Sequence, residues 1–107
     1  MYYVNDGFYG ITPERVYNVP DRYCDRASFY GKAKIVECAD GIYLQSYDTL
    51  VCFKSHDGKF QKLWNGYSHT TMRHINAFMY HYCNVRVGGK AWWESLETRK
   101  EYNISEF

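Results

Sequence analysis

The stretch Trp64-Asn-Gly-Tyr-Ser-His-Thr-Thr-Met-Arg-His-Ile-Asn-Ala-Phe-Met-Tyr-His-Tyr82 decides the fold. It leaves a strand-like segment, passes a glycine-containing turn and enters the only strong helical pattern in the chain. At about 100° per residue, Met72, Ile75, Phe78, Met79 and Tyr82 fall in one stripe about 120° wide. Arg73, Asn76, Ala77 and Tyr80 project the other way, which predicts a helix over about 69–82 lying on an apolar surface. Ser68 is placed to cap it, since its hydroxyl can accept a backbone N–H one turn later, worth about 1 kcal/mol.

The surface for that helix comes from the residues before it. Lys32–Cys38, the turn Ala39-Asp40-Gly41 and Ile42–Ser46 read as strand, turn, strand. Thr49–Lys54, the turn Ser55-His-Asp-Gly58 and Lys59–Trp64 repeat the pattern. Four short strands joined by Asp-Gly turns predict an antiparallel meander with one apolar and one wet face. Val85-Arg-Val87, Gly88-Gly89 and Lys90-Ala-Trp-Trp93 read as a final hairpin or edge strand, giving four to five strands. A helix on one face of such a sheet is the α+β class.

The expected organisation is a single domain, 1–107: an N-terminal hairpin and ordered loop over 1–31, the sheet over 32–64, the helix over 68–83, and a C-terminal hairpin and tail over 84–107. Asn5-Asp6-Gly7 between aromatic pairs suggests the small hairpin, with a short helical turn capped by Thr12 and opened by Pro13 as its alternative. Tyr17, Tyr23, Phe29 and Tyr30 are expected to pin the following loop to the body of the domain. Asn84 is placed to stop the helix, and the weakly patterned Glu94–Phe107 is expected to fray or form a short helix.

Charge and composition narrow the function classes. Thirteen basic against twelve acidic side chains leave a net charge of +1, no global field for nucleic acid or an anionic membrane. No apolar run reaches the roughly 20 residues that span a bilayer. Met1–Asp6 lacks the basic and apolar regions of a signal peptide, so a soluble, cytoplasmic protein is expected. The 12 Tyr, 6 Phe and 3 Trp are more rings than so small a domain can bury, and half-exposed Tyr and Trp are what protein partners meet.

Reactive constellations are sparse. Cys24, Cys38, Cys52 and Cys83 form no C-x-x-C pair and read as structural thiols, without metal or cofactor. His69, His74 and His81 are five and seven residues apart, not the three or four that share an ion, and with His56 read as surface or boundary residues. Ser46, Ser68, Thr70, Thr71 and the thiols stand alongside His74 without a nucleophile-elbow signature, so hydroxyls at the helix start read as caps rather than catalysts. Free N–H groups there, with Arg73, could hold an anion, although the glycines of an anion nest are lacking. Lys32, Lys34, Lys54, Lys59 and Lys62 with Tyr43, Phe53 and Phe60 sketch a stacking platform for single-stranded nucleic acid.

Four segments form an ordered set: Ser28-Phe-Tyr-Gly-Lys-Ala33, Leu44-Gln-Ser-Tyr-Asp-Thr-Leu-Val51, Tyr67-Ser-His-Thr-Thr-Met-Arg-His-Ile-Asn-Ala-Phe78 and Gly89-Lys-Ala-Trp-Trp93. The set resembles a family of small proteins of unassigned function carried by phages, plasmids and other mobile elements, mainly of gut and lactic-type Firmicutes. The resemblance covers most of residues 20–95 and implies context rather than an activity. That context is short accessory genes, among which inhibitors of host defence, including anti-CRISPR proteins, are common. Where the family motif continues into an acidic, Leu-rich end, this chain has Ala77-Phe-Met-Tyr-His-Tyr82.

The expected function is therefore a non-catalytic accessory protein that binds a host protein such as an RNA-guided nuclease. Its candidate contacts are Tyr47, Tyr67, Arg73, Tyr80, Trp92 and Trp93; Trp64 is also a candidate, although it and at least one of the Trp92–Trp93 pair are expected to be core. A nucleic-acid-binding accessory protein is the alternative, and a homodimer is a second use for spare rings.

Overall fold

Alternating and continuous apolar runs between short turns build one antiparallel sheet in the computed structural model, which describes residues 14–19 and 32–107. Its six strands are β1 (Arg15–Asn18), β2 (Ala33–Cys38), β3 (Gly41–Ser46), β4 (Thr49–Ser55), β5 (Lys59–Lys62) and β6 (Glu101–Asn103), ordered across the sheet as in the chain. The expected hairpin at 1–12, the Thr12-Pro13 start, Cys24, Tyr23, Phe29 and Tyr30 lie outside the described residues. Glu14 and Arg15, the rest of the alternative helical turn, lead into β1 instead.

Register assigns the two faces. Ile35, Leu44 and Cys52 stand opposite one another on one side, joined there by Phe60 and by Met72, Ile75, Phe78 and Met79 from the helix above. Val36, Tyr43 and Phe53 point the other way and form a second buried cluster with Cys38, Leu50 and Leu63. The face expected to be wet is thus apolar across β2–β4. Leu50-Val-Cys-Phe53 has no polar residue to turn toward water, the signature of a strand buried on both sides.

Two local devices set this register. A bulge between β3 and β4 puts both Val51 and Cys52 into the helix-side core. Val51 O then accepts the amides of Leu63 (2.8 Å) and Trp64 (3.2 Å) as the chain leaves the sheet. Gly41 follows the two-residue Ala39-Asp40 turn, and a Cβ there would stand 2.2 Å from Lys54 O. Only glycine fits so close a crossing.

The helix forms as its periodicity predicts. Ser68 caps α1 (His69–Phe78) by accepting from the Thr71 amide at 3.1 Å. The last turn widens into a π-helix, Met79–Cys83, and Asn84 stops it at φ 57°. Tyr82 lies half-buried against Phe78 at the end of the apolar stripe. Among the described residues no helix is long and apolar enough to cross a membrane.

The C-terminal third departs from expectation. Gly89, at φ 79°, opens a short helix α2 (Lys90–Ser95) rather than turning a hairpin. The tail does not fray: β6 pairs with β5, and a 3-10 turn, Ile104–Glu106, ends the chain. Lys62 explains the order. Counted among the lysines of the sketched stacking platform, it is 2% exposed, and its ammonium donates to Trp93 O (2.9 Å) and Leu96 O (3.2 Å) while lying 4.9 Å from the Trp93 ring centroid. Carbonyls at the end of a helix lack internal donors, and a buried cation supplies them. Burial holds the Lys62 pKa below its usual 10.5, opposed by Glu94.

Lys62→Met keeps the packing length and removes the ammonium. It is expected to cost about 2 kcal/mol in urea unfolding, with faster hydrogen exchange concentrated in residues 90–104.

Burial also sets an alkaline limit. Desolvation raises Tyr43, and together with Glu37 raises Tyr17, to about 12 from 10.0; it raises Cys83 to about 12 from 9.0. These groups keep protons in the folded state that the unfolded chain has already released, so their contribution is full below the unfolded values and lost as pH climbs toward 12. Stability should fall between about pH 9 and 12, and part of the tyrosinate absorbance should appear only near the upper end.

Candidate functional site

Ser46 ends β3 on the helix-facing side, opposite Ala33 and Thr49. Thr71, His74, Ile75 and Phe78 follow the i, i+3, i+4, i+7 spacing that faces the core, so α1 lowers two polar side chains onto that serine. Ser46 Oγ shares hydrogen bonds with His74 Nδ1 at 2.8 Å and Thr71 Oγ1 at 3.0 Å. His74 is 0% exposed and Ser46 2%, so the expected surface or boundary histidine is a core residue. A buried hydroxyl and imidazole need partners, and here they are each other's.

A serine and a histidine at this distance have the contact of a nucleophile and its base. Burial removes the access that role requires. Ser46 has its hydroxyl engaged twice, inside a packed interface. What the arrangement does is tie the helix to the sheet and fix the next residue.

That residue is Tyr47. It turns β3 into β4 at φ 56°, on the left-handed side of the backbone map, which costs a non-glycine residue about 1 kcal/mol. Its amide donates to Lys32 O (2.7 Å), and its carbonyl accepts from Gln45 Nε2 (2.7 Å). The ring is 48% exposed, 6.0 Å from the His74 ring, with Lys32 Nζ 5.9 Å from its centroid. An aromatic side chain is thus held at the protein surface by a backbone position that would favour asparagine or glycine.

The remaining expected contacts are dispersed. Arg73 is exposed on α1, and Tyr80 is half-buried beside His81 on the π turn. Tyr67 is half-buried beneath Lys90 Nζ, 5.2 Å from its centroid. Trp92 packs against Phe60 and Phe107 over β5 and β6, its indole N–H buried without a partner. Trp93 is the member of the pair that is core, as expected of at least one, and so leaves the set of contacts: it is fully buried, and its indole N–H donates to Gly66 O at 2.8 Å. Trp64 is half-buried against the same core.

The sketched stacking platform is divided by the register. Tyr43 and Phe53 are buried on one face, Phe60 and Lys62 on the other. Among the described residues no group of three His, Cys, Asp or Glu could hold a metal.

With that geometry in place, comparison with known proteins adds a family and no activity. Residues 17–95 match a family of unknown function (DUF8033), and the chain belongs to it. No curated protein and no solved structure matches.

Ser46→Ala leaves His74 and Thr71 without their shared partner and should cost about 1–3 kcal/mol in urea unfolding. A fluorophosphonate probe should leave Ser46 unlabelled in the folded protein. Labelling at Ser46 that disappears in His74→Ala would make it a nucleophile.

Proposed function

We propose that this member of the DUF8033 family is a non-catalytic accessory protein of a phage or other mobile element, acting in the cytoplasm of its bacterial host. It binds a host protein and inhibits host defence, with an RNA-guided nuclease as the target class. The context rests on the ordered motif set from Ser28 to Trp93, and the surface rests on Tyr47.

One observation carries the surface. Among the described residues Tyr47 is the exposed aromatic side chain, the others being buried or half-buried. It combines two choices that stability alone disfavours, a solvated ring and a left-handed backbone, and two hydrogen bonds hold the backbone that carries it. A rigid aromatic anchor loses little entropy when a partner closes over it. The sealed Ser46–His74 pair supports binding over chemistry.

Tyr47→Asn separates fold from function. Asparagine accepts the same backbone, so stability should hold or rise by up to about 1 kcal/mol. Affinity for a host protein captured by the wild-type chain and identified by mass spectrometry should fall at least about tenfold. Arg73→Ala, also fully folded, tests whether the contact extends onto α1. Capture unchanged in both variants would move the interface elsewhere.

A further inference from the structure

Between Asp57 and Glu94 the chain contains no acidic residue, while Lys59, Lys62, Arg73, Arg86 and Lys90 all fall there. This interval includes all of α1 and the π turn, and the first turn of α1 lacks the acidic side chain that commonly offsets the helix dipole. Among the described residues the acids stand in or beside the sheet, in its turns and in the segment from Glu94 onward.

Contacts link Lys90 to the start of α1. Lys90 Nζ lies 5.2 Å from the Tyr67 ring centroid, and the Tyr67 ring is 5.7 Å from that of His69. His69, Arg73, Ala77 and His81 then follow at steps of four, one ridge along the helix. His69 and Arg73 are exposed, while Ala77, Tyr80 and His81 are half-buried with the Tyr80 and His81 rings 5.1 Å apart. From His69 to Ala77 the ridge runs about 12 Å at the usual α-helical rise, and the π turn carries it on to His81, long enough to meet at least two phosphates.

From these contacts we infer that the ridge from Lys90 and Tyr67 through His69 and Arg73 to His81 binds the phosphate backbone of single-stranded nucleic acid. The cations Arg73 and Lys90, on a stretch with no acid between Asp57 and Glu94, supply the attraction, and Tyr67 and Tyr80 supply faces on which bases stack. An acidic protein surface fits less well. Protein interfaces are centred on apolar anchors, and among the described residues the exposed large apolar ones, Val16 and Tyr47, both lie off the ridge. The site is separate from the Tyr47 turn and from the sheet lysines.

Fluorescence anisotropy with a fluorescein-labelled oligothymidine tests this on the full chain. Binding should be measurable at about 50 mM salt and weaken steeply as salt rises. Arg73→Glu with Lys90→Glu should lower affinity at least about tenfold and flatten the salt slope by about 1.4. Lys59→Glu with Lys100→Glu, the same charge change at the β5–β6 edge, should move affinity less than about twofold. Amide shifts of the wild-type chain on titration should centre on residues 67–81, a readout independent of whether the charge-reversed chain folds. Tyr47→Asn should leave this affinity unchanged. No binding at the lowest salt, equal loss in both double variants, shifts centred elsewhere, or equal displacement by polyglutamate of matched charge would each overturn the inference.

Discussion

A hydrogen bond of 2.8 Å between Ser46 and His74 determines where the helix rests on the sheet. Apolar packing presses α1 down but has no direction, and a helix on a layer of Ile35, Leu44 and Cys52 could slide or rotate with little penalty. A buried donor–acceptor pair cannot be displaced without losing both partners' satisfaction, so it specifies one arrangement. Because Ser46 immediately precedes Tyr47, the contact that fixes the helix also anchors the turn presenting the exposed ring.

Lys62 does at the terminus of β5 what Ser46 does at the β3 terminus. Each is a polar side chain at the end of a strand, aimed into the helical layer and closed over by it. The two differ in what they hold: Ser46 meets side chains of α1, whereas Lys62 meets backbone carbonyls of α2 and the turn after it. Between them both helices of that layer are fastened to the sheet, α1 by Ser46 and α2 by Lys62.

Much of this was readable from the chain. The stripe Met72–Tyr82, the Ser68 cap and the Asp-Gly turns follow from periodicity and local backbone chemistry, and they place the helix and four of the strands. Tyr47 was legible as an exposed ring but not as a strained one, since dihedral angles depend on the hairpin that closes around it. His74 was misplaced by its polarity. Its spacing with Thr71, Ile75 and Phe78 was that of the core all along, and only its partner Ser46, distant in sequence, makes that position tolerable. The same holds for Lys62, whose acceptors lie 31 and 34 residues further on. Gly88-Gly89 misled because the dipeptide suits a hairpin as well as the start of a helix, and the choice is made by the packing of Trp93.

The adjacency of β5 and β6 makes the whole helical layer an excursion out of one hairpin. The chain leaves the sheet after Lys62 and returns at Glu101 to the neighbouring lane, so nothing in that detour is threaded through the remaining strands. The detour can therefore be lengthened, shortened or redecorated without disturbing the strand order, provided its two fastenings are kept.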